Sequence, residues 1–478
     1  MAVPGVVIQE SDAAPLSSPR LALATPFVVG ELERGLETPK LVRSMRDVTT
    51  TFGPRSADTA HVHDWLDGYF RENGSAAYIG RLLGAAPVAA SVAFPDGVPT
   101  TAITVTAREK GAWANGATGG LSADIDVSGS DFEVKIYLDG ELVERSGLVA
   151  DGAAAAEWAS ANSAYVTITD GPGGDPVATG SPQNLTGGDA DFDGISQTQI
   201  SAVLARFTPD LGPGTIVMPG RTGTTEQLAA AAHGAANNRL VRADLPATGV
   251  VGTLTAQAAT LRADENADRI DILAPMLTCP GLTATSVRHV PGSVLRCAAE
   301  SRNDRAGVSP NQTAAGEWAI AEYLTDATEV WSEADLATLS AAGINVVRVV
   351  DGKLKVYGMR TAVDPATSPA GVSLGSARLR MAVREVARFH AEKAVFTEVD
   401  AGGVVLGNLK GKISGELTSR YKESFWPVNT AGDLLDISAE LVAGVTPGTY
   451  ELEVLVKFRP AGAAEVVTVT ISRSVSAS

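Results

Sequence analysis

Several short motifs in the sequence have residue types and spacings that occur in enzyme or metal sites. The run Gly371-Val372-Ser373-Leu374-Gly375 matches the G-x-S-x-G pattern of a nucleophilic serine. Such a serine follows a buried strand, and Pro365 and Pro369 exclude that strand here. The histidine should also follow the acid, whereas His390, the only histidine after the motif, precedes the next aspartates. The sequence therefore predicts no Ser-His catalytic site at this position.

An acidic run imitates the start of a calcium-binding loop. Asp189-Ala190-Asp191-Phe192-Asp193-Gly194 places carboxylates at alternate positions and glycine at the sixth position. A calcium loop also needs a bidentate glutamate at its twelfth position, where this chain has Ile200. The simpler interpretation is an acidic turn that caps a predicted helix at 196–207. We expect no metal to bind at this run.

The histidines and cysteines have no spacing typical of a metal site. In His61-Val62-His63-Asp64, ligands two positions apart on a helix point to different faces, so we expect a solvated first helical turn. Cys279, Cys297 and His289 also lack a recognisable ligand spacing. The two cysteines can form at most one disulfide, and two buried free thiols are the expected state in a cytoplasmic protein.

One glycine-containing loop lies between a predicted strand and a predicted helix, where phosphates often bind. Gly220-Arg221-Thr222-Gly223-Thr224-Thr225 lacks the lysine of a phosphate-binding loop and the G-x-G-x-x-G of dinucleotide-binding proteins. A plain connection with a threonine N-cap is the favoured interpretation. The sequence therefore implies no cofactor.

Length, charge and hydropathy limit the remaining function classes. The chain has 478 residues, which allows about two to four domains. Its formal charge of −17 and pI near 4.8 disfavour binding to nucleic acid backbones or anionic membranes. Apolar runs are shorter than the roughly 18 residues of a membrane-spanning helix. The N-terminus has no signal-peptide pattern, so we expect the protein to fold in a cytoplasm.

Hydrophobic periodicity indicates an α/β chain that is interrupted by a β-rich module. The predicted strands of the α/β parts are 21–29, 40–42, 47–53, 76–83, 215–219, 345–350 and 354–357. Those of the module are 103–107, 132–138 and 165–169. The predicted helices are 61–72, 196–207, 225–242, 254–267, 316–324 and 376–396.

Both ends of the chain carry strand-like segments. Residues 3–10 have no hairpin partner close behind them, because Pro15 and Pro19 interrupt the following segment. The chain closes on two further predicted strands at 449–458 and 465–475. A terminal strand without a nearby partner either frays or pairs with a distant segment, and a disordered tail is the competing interpretation at the N-terminus.

An ordered set of short segments carries the most specific signal. The segments are Pro4-Gly5-Val6, Ile103-Thr104-Val105-Thr106-Ala107, Gly111-Ala112-Trp113-Ala114-Asn115-Gly116, Leu185-Thr186-Gly187-Gly188-Asp189, Val290-Pro291-Gly292-Ser293, 303–311, 341–348 and 356–362. Each segment alone is weakly specific, but the set covers nearly the whole chain in order. Together the segments resemble the contractile tail sheath proteins of bacteriophages and related contractile injection systems.

The resemblance implies an α/β multidomain fold with extended terminal arms. An α/β core is built from both chain ends, a central α/β domain follows, and a small β-rich domain is inserted. The implied domains are an N-terminal arm at 1–20, a discontinuous tube-proximal core at 21–90 and 351–460, an outer β-rich domain at 91–180, a central domain at 181–350 and a C-terminal strand arm at 461–478.

The resemblance also implies a function without catalysis. The subunit would polymerise helically around an inner tube and contract, which would drive the tube through a target cell envelope. The implied partners are further copies in sixfold rings, an inner tail tube protein, and baseplate and tail terminator proteins. No nucleic acid, membrane insertion or cofactor is implied. Assembly would occur in the bacterial host cytoplasm, within a virion tail or an injection particle.

Two sets of residues are candidates for assembly contacts. The resemblance implies that the terminal strands are lent to neighbouring subunits, so the intersubunit candidates are Val3, Val6, Val7, Ile8, Val467, Val469 and Ile471. Residues 378–425 hold nine basic and six acidic side chains in an otherwise acidic protein. The tube-facing candidates in this region are Arg380, Arg384, Arg388, Lys410 and Lys412. A solvated helix face or an intersubunit contact is the alternative interpretation of these basic residues.

A second function class remains open from the sequence. An α/β enzyme with a β accessory domain, such as a hydrolase, would suit the alternation of elements. No intact catalytic motif supports it. The sequence therefore favours the sheath subunit over the enzyme.

Overall fold

The computed structural model describes residues 22–98, 100–117, 119–283, 285–395, 403–421, 424, 435–443 and 450–460. The helices are α1 (Met45–Phe52), α2 (Ala60–Arg71), α3 (Gly152–Asn162), α4 (Gln197–Arg206), α5 (Thr224–Ala236), α6 (Val251–Arg262), α7 (Ser293–Ala306), α8 (Glu333–Ala341), α9 (Leu374–Glu392) and α10 (Val404–Tyr421). Among the described helices, none combines the length and the apolar character that a bilayer span requires.

Strands alternate with these helices over most of the chain. They are β1 (Pro26–Glu31), β2 (Lys40–Val42), β3 (Ala77–Leu82), β4 (Ser91–Pro95), β5 (Thr101–Ala107), β6 (Leu121–Ser128), β7 (Asp131–Leu138), β8 (Glu141–Val149), β9 (Val166–Asp170), β10 (Gln183–Asn184), β11 (Gly214–Val217), β12 (Arg239–Asp244), β13 (Ile270–Ala274), β14 (Leu277–Pro280), β15 (Val287–Val290), β16 (Asp326–Ala327), β17 (Ile344–Val350), β18 (Lys353–Tyr357), β19 (Leu435–Ala443) and β20 (Tyr450–Phe458).

An eight-stranded sheet is the largest element of the described chain. Its strand order is β18-β17-β13-β12-β11-β1-β3-β2. The six strands from β17 to β3 are parallel, and an antiparallel strand closes each edge. Because β1 lies between β3 and β11, the winding of the chain reverses at β1. The sheet therefore joins the first strands of the chain to strands formed more than 130 residues later.

Helices cover both faces of this sheet. In β1, Val28 faces a buried cluster that includes Trp65 of α2 and Val294 of α7. Its neighbours Phe27 and Val29 face the opposite cluster, to which α4, α5, α6 and α8 contribute. This alternation follows from the two-residue period of a strand. Both faces are buried, as parallel sheets require.

The β-rich module has a separate interior. Two sheets, with the orders β4-β5-β9 and β10-β6-β7-β8, enclose a buried cluster together with α3. The cluster draws its residues from positions 90–185 only. Another small sheet, β15-β14-β16, extends from the residues that follow β13.

The described residues from 378 onward group with the short segments 22–23 and 309–312 as a second compact unit. In it, Leu379, Val383 and Val386 of α9 pack against Leu409 and Ile413 of α10. The strands β19 and β20 form an antiparallel hairpin whose Ile437 joins the same cluster. The other unit, residues 24–308 and 313–377, contains the eight-stranded sheet and the module.

The expected strand at 47–53 is wrong, because these residues form helix α1. The β-branched residues of this run favour a strand when taken alone. The Ser44 side chain caps the helix by accepting a hydrogen bond from the Asp47 backbone N–H at 3.2 Å. Val48 and Phe52 are four residues apart and share its buried face, and Gly53, at φ 87°, ends it. Capping and burial therefore outweigh intrinsic propensity.

Two predicted helices are also corrected. The helix expected at 225–242 stops at Ala236, because Asn238 adopts a positive φ of 56° and the chain then enters β12. The helix expected at 316–324 is reduced to a single short turn at Gly316–Ala319. The next backbone N–H groups, including that of Leu324 at 2.7 Å, donate instead to the buried carboxylate of Glu72. The first correction comes from a local change of backbone conformation, and the second from a long-range contact.

The expected division into domains stays a prediction. The eight-stranded sheet contains strands from 21–90 and from 181–350, two ranges that the expected division assigns to different domains. The mixed α/β class agrees with the prediction in general terms.

Candidate functional site

Ser373 begins helix α9 and does not occupy a strand-to-helix elbow. A short helical turn at Pro369–Gly371 precedes it. Its Oγ accepts a hydrogen bond from the backbone N–H of Ser376 at 3.4 Å, which is the geometry of a helix-capping serine. The structure therefore gives this serine a structural role.

The acidic run at 189–193 is held by a hydrogen bond from the backbone of a distant residue to one of its carboxylates. Asp191, at φ 53°, accepts a hydrogen bond from the Ala86 N–H at 2.8 Å. The expectation that this turn caps the next helix is wrong, because Ser196 and Gln199 form a reciprocal capping box at the start of α4. Among the described residues, no group of three or more acidic, histidine or cysteine side chains is arranged to hold a metal ion.

The loop after β11 contacts the carboxyl end of β1, where the sheet reverses its winding. Ligands of parallel α/β sheets often bind at this point. Here the Arg221 guanidinium forms an ion pair with Glu31 at the end of β1 and lies 3.7 Å from Glu226. The predicted threonine N-cap is wrong, since Gly223 occupies that position without a side-chain hydrogen bond. This loop is a structural connection.

The predicted solvated turn at His61–Asp64 is also wrong in part. The His63 side chain is buried, and this burial lowers its pKa to about 4. Burial opposes the ionisation of Asp64, but hydrogen bonds from Arg55 and Arg288 outweigh it, so the pKa of Asp64 lies below its ordinary value. The ion pair between Asp64 of α2 and Arg288 of β15 connects α2 to the small sheet.

The predicted basic stripe lies on helix α9. Arg384 and Arg388 are exposed, whereas Arg380 is half-buried. Arg388 donates to Glu385 one turn earlier at 2.9 Å. Lys410 and Lys412 are exposed on α10. Four of the five tube-facing candidates therefore have exposed side chains within this unit.

A buried polar bridge fixes α9 against α10. His390 Nε2 lies 2.6 Å from Glu416 Oε2, and Arg420 Nε lies 3.2 Å from the other oxygen of the same carboxylate. The apolar side chains of the two helices meet beside this bridge. The helix pair is therefore a defined platform for its exposed charges.

The hairpin of β19 and β20 has two open edges among the described residues. Its register runs from the pair Leu435 and Phe458 to the pair Ala443 and Tyr450, with nine residues in each strand. A two-stranded ribbon is marginally stable alone, and its unpaired N–H and C=O groups can accept further strands. The predicted arm residues Val3, Val6, Val7, Ile8, Val467, Val469 and Ile471 lie outside the described residues.

The structure brings together two sequence segments that are about 70 residues apart. The Asn115 side-chain amide donates to the Gly188 carbonyl at 2.9 Å and accepts from the Gly188 N–H at 2.8 Å. The N–H of Gly116 donates to the Leu185 carbonyl at 2.9 Å. The sequence indicated both segments but not their contact, because nothing in their spacing shows which distant backbone they meet.

Solved structures with this fold match nearly the whole chain. The helical sheath of the anti-feeding prophage (AFP) in its contracted state matches with a TM-score of 0.57 and 15% identity, over 99% of this chain and 100% of that chain. A chain of the AFP baseplate, symmetrised sixfold, matches with 0.57 and 14% over 99% and 100%. The sheath tail protein of Listeria innocua matches with 0.62 and 11% over 92% and 96%.

Comparison of the sequence with family models and with curated protein sequences gave no match. The similarity therefore lies in the fold. The chain has the fold of contractile sheath proteins, as the ordered sequence segments predicted.

Proposed function

We propose that this protein is the structural subunit of a contractile sheath, which polymerises helically around an inner tube and contracts to drive the tube through a target cell envelope. The observation that carries the proposal is the match of 99% of this chain to 100% of the AFP sheath chain. The match leaves no unmatched segment of domain size on either chain. The simplest explanation of this full-length match is that both chains have a function that the shared fold performs without any additional domain.

The described residues favour a subunit without catalysis. Ser373 caps a helix, and His390 is engaged by Glu416 of the adjacent helix. Arg221, in the loop at the reversal of the sheet, is engaged in an ion pair with Glu31. The alternative, a hydrolase with a β accessory domain, therefore has no supporting geometry at the motifs that suggested it.

Assembly would proceed by strand addition to the hairpin of β19 and β20. Residues 1–20 and 461–478 would supply strands to the hairpins of neighbouring subunits. Backbone hydrogen bonds would provide the affinity of the added strand for the hairpin. Every second side chain of the added strand would set its register against the hairpin. The long, regular pairing of β19 with β20 supports this proposal, because it provides a ribbon to which such strands could be added.

The exposed basic residues of α9 and α10 would face an acidic inner tube. Exposed ion pairs contribute about 0–1 kcal/mol each, so many weak contacts can hold a tube that must later slide.

The fold match to a chain of the sixfold AFP baseplate supports ring symmetry and a junction with baseplate proteins in this system too. A terminator would close the other end, and assembly in the host cytoplasm would precede release of the particle.

Electron microscopy of the purified protein tests the proposed function. The full chain should form long hollow tubes with regular striations, and a co-expressed tube protein should be found inside them. A matched protein that lacks residues 1–10 should remain dispersed. Dispersed particles of the full chain under all salt conditions, together with substrate turnover, would overturn the proposal in favour of an enzyme.

A further inference from the structure

The junction between the β-rich module and the eight-stranded sheet is polar. Each of the described buried apolar clusters lies on one side of this junction, since the module cluster contains only residues 90–185 and the sheet clusters contain none of them. A cavity of about 110 Å³ lies at the junction, between Arg34 on the sheet side and Trp113 and Tyr165 on the module side. Apolar packing therefore does not fix the module on the sheet, and other contacts must do so.

Arg81, at the end of β3, is the central residue of the junction. It is one of the largest fully buried side chains in the described chain. Its guanidinium donates to the carbonyl oxygens of Leu32 at 2.8 Å, Gly35 at 2.9 Å and Glu33 at 2.5 Å, all on the sheet side. It also donates to the carbonyl of Lys110, on the module side, at 2.7 Å. The planar guanidinium of Arg81 is therefore hydrogen-bonded to both the sheet side and the module side of the junction.

Adjacent residues reinforce this contact. The Glu109 carboxylate accepts a hydrogen bond from the Gly35 N–H at 2.6 Å. Lys110 lies 3.8 Å from the carboxylate of Glu37, which also pairs with Arg206 of α4. The contacts of Glu109 and Lys110 connect the module loop at 109–110 with the segment that follows β1, and Arg206 holds Glu37 from α4. We call this set of contacts around Arg81 the module joint.

Glycine is required where the module loop passes Arg81. Gly111 has a φ of 127°, and a Cβ there would lie 2.8 Å from the Glu33 carbonyl and 2.9 Å from the Arg81 guanidinium. Gly188 is equally close, since a Cβ there would lie 2.4 Å from the Gly111 carbonyl. Both glycines belong to the short segments that stood out in the sequence. Gly111 lets the module loop pass close to Glu33 and Arg81, and Gly188 lets a further backbone segment pass close to Gly111.

We propose that the module joint fixes the orientation of the β-rich module on the sheet and that Arg81 is its positioning residue. Arginine suits this role because its planar fork offers five donors, enough for all four carbonyl groups. A lysine has three donors on one nitrogen and cannot span acceptors on both sides. The two hydrophobic interiors fold independently of the joint, and the joint sets the angle between them. This proposal concerns the folded subunit and does not depend on what the subunit assembles into.

Spin-label distance measurements on the soluble subunit test the orientation. Both native cysteines are buried, so labels on Ser130→Cys in the module and Asp210→Cys beside the sheet can be introduced selectively. The parent protein should give one narrow distance distribution. Arg81→Lys should broaden it. Arg108→Lys, which alters an arginine bonded to the Ala159 carbonyl within the module, is the matched control and should leave the distribution narrow.

Hydrogen exchange on the same proteins separates orientation from stability. In Arg81→Lys, the N–H groups of Gly35 and Gly111 should exchange at least about tenfold faster, while those within β7 and β12 should keep their protection. A narrow distance distribution in Arg81→Lys would overturn the proposal. So would a loss of protection in both β7 and β12, because Arg81 would then support the whole fold. Gly111→Ala is a second variant that should also broaden the distribution while Arg81 is retained.

Discussion

Charged side chains are buried between the eight-stranded sheet and helix α7, where apolar residues would be usual. Arg242 of β12 is fully buried and lies 2.7 Å from Asp271 of β13 and 2.5 Å from Glu300 of α7. Arg296 of α7 lies 3.0 Å from the same Asp271 oxygen. Buried charges are tolerated only with their partners. These four residues therefore specify how α7 docks on the sheet.

Removing one partner should be costly. Arg242→Met should lower the free energy of unfolding by about 3–5 kcal/mol, because Glu300 and Asp271 lose a buried counter-charge. Arg262→Met is the control, since Arg262 pairs with a half-exposed Asp364 at 3.8 Å and should cost no more than about 1 kcal/mol. Urea unfolding followed by the fluorescence of buried tryptophan measures both values. Equal losses in the two variants would contradict the role given to the buried cluster.

Asp244 gives the fold a pH dependence of its own. Burial raises the pKa of this carboxyl to about 7, although the Ser293 N–H donates to it at 3.0 Å. Its unfolded pKa is about 3.9. Between these values the unfolded chain has lost the proton that the folded chain retains. This residue therefore makes the protein less stable by about 1.4 kcal/mol for each pH unit as the pH rises from about 4 to about 7.

Replacing this carboxyl should remove that dependence. Asp244→Asn should be increasingly more stable than the parent as the pH rises through this range, and the difference should level off above pH 7. Urea midpoints of both proteins at several pH values give the difference directly. The comparison is needed because groups such as Asp64, whose pKa is lowered, change stability in the opposite direction. A difference that is constant with pH would contradict the assignment.

At the scale of elements, the sequence predicted what periodicity controls and missed what distant contacts control. Helices α2, α4 and α9 follow from apolar residues at helical spacing. Helix α1 was missed because its β-branched residues disguise it, and α7 because its buried face contains arginine and glutamate. Nothing in the sequence indicated the role of Arg81. Its four hydrogen-bond acceptors are backbone carbonyl groups, so no acidic residue at a recognisable spacing marks it as a paired arginine. Folding alone brings those carbonyl groups together.

The exposed charges of helix α9 should matter for tube binding. Replacing Arg384 and Arg388 with glutamate should leave empty tubes intact but prevent assembly around the inner tube, because the charge of the contact surface is reversed. Arg380 is left unchanged because it is half-buried. Arg145→Glu, on an exposed strand of the module, is the control for a charge reversal outside this surface. Wild-type yields of tube-filled particles from the double variant would assign these arginines to a solvated face.

The terminal arms should control assembly and have little effect on folding. Deleting residues 1–10, or residues 465–478, should leave the melting temperature of the subunit almost unchanged, since neither segment has a partner nearby in sequence. Polymer formation, measured by light scattering, should be lost. Intact polymerisation with a much lower melting temperature would show that the arms belong to the fold of their own subunit.

At the scale of the whole molecule, charge is unevenly distributed along the chain. Residues 91–180 hold thirteen acidic and four basic side chains, a net −9 of the total −17. Residues 378–425 have a net charge of +3. A sheath that binds an acidic tube on its inner surface and presents the module to solvent would use both features, because like charges on outer surfaces keep particles apart. The distribution of charge is therefore the one that this proposed arrangement would use.

Helical reconstruction by electron microscopy of tubes formed by the purified protein tests the central claim most directly. We predict that subunits of this fold will surround a hollow channel and that strands from neighbouring subunits will cover both edges of the hairpin of β19 and β20. The basic faces of α9 and α10 should line the channel. A protein that never forms tubes, or tubes in which the hairpin edges remain open and each arm folds onto its own subunit, would contradict the account.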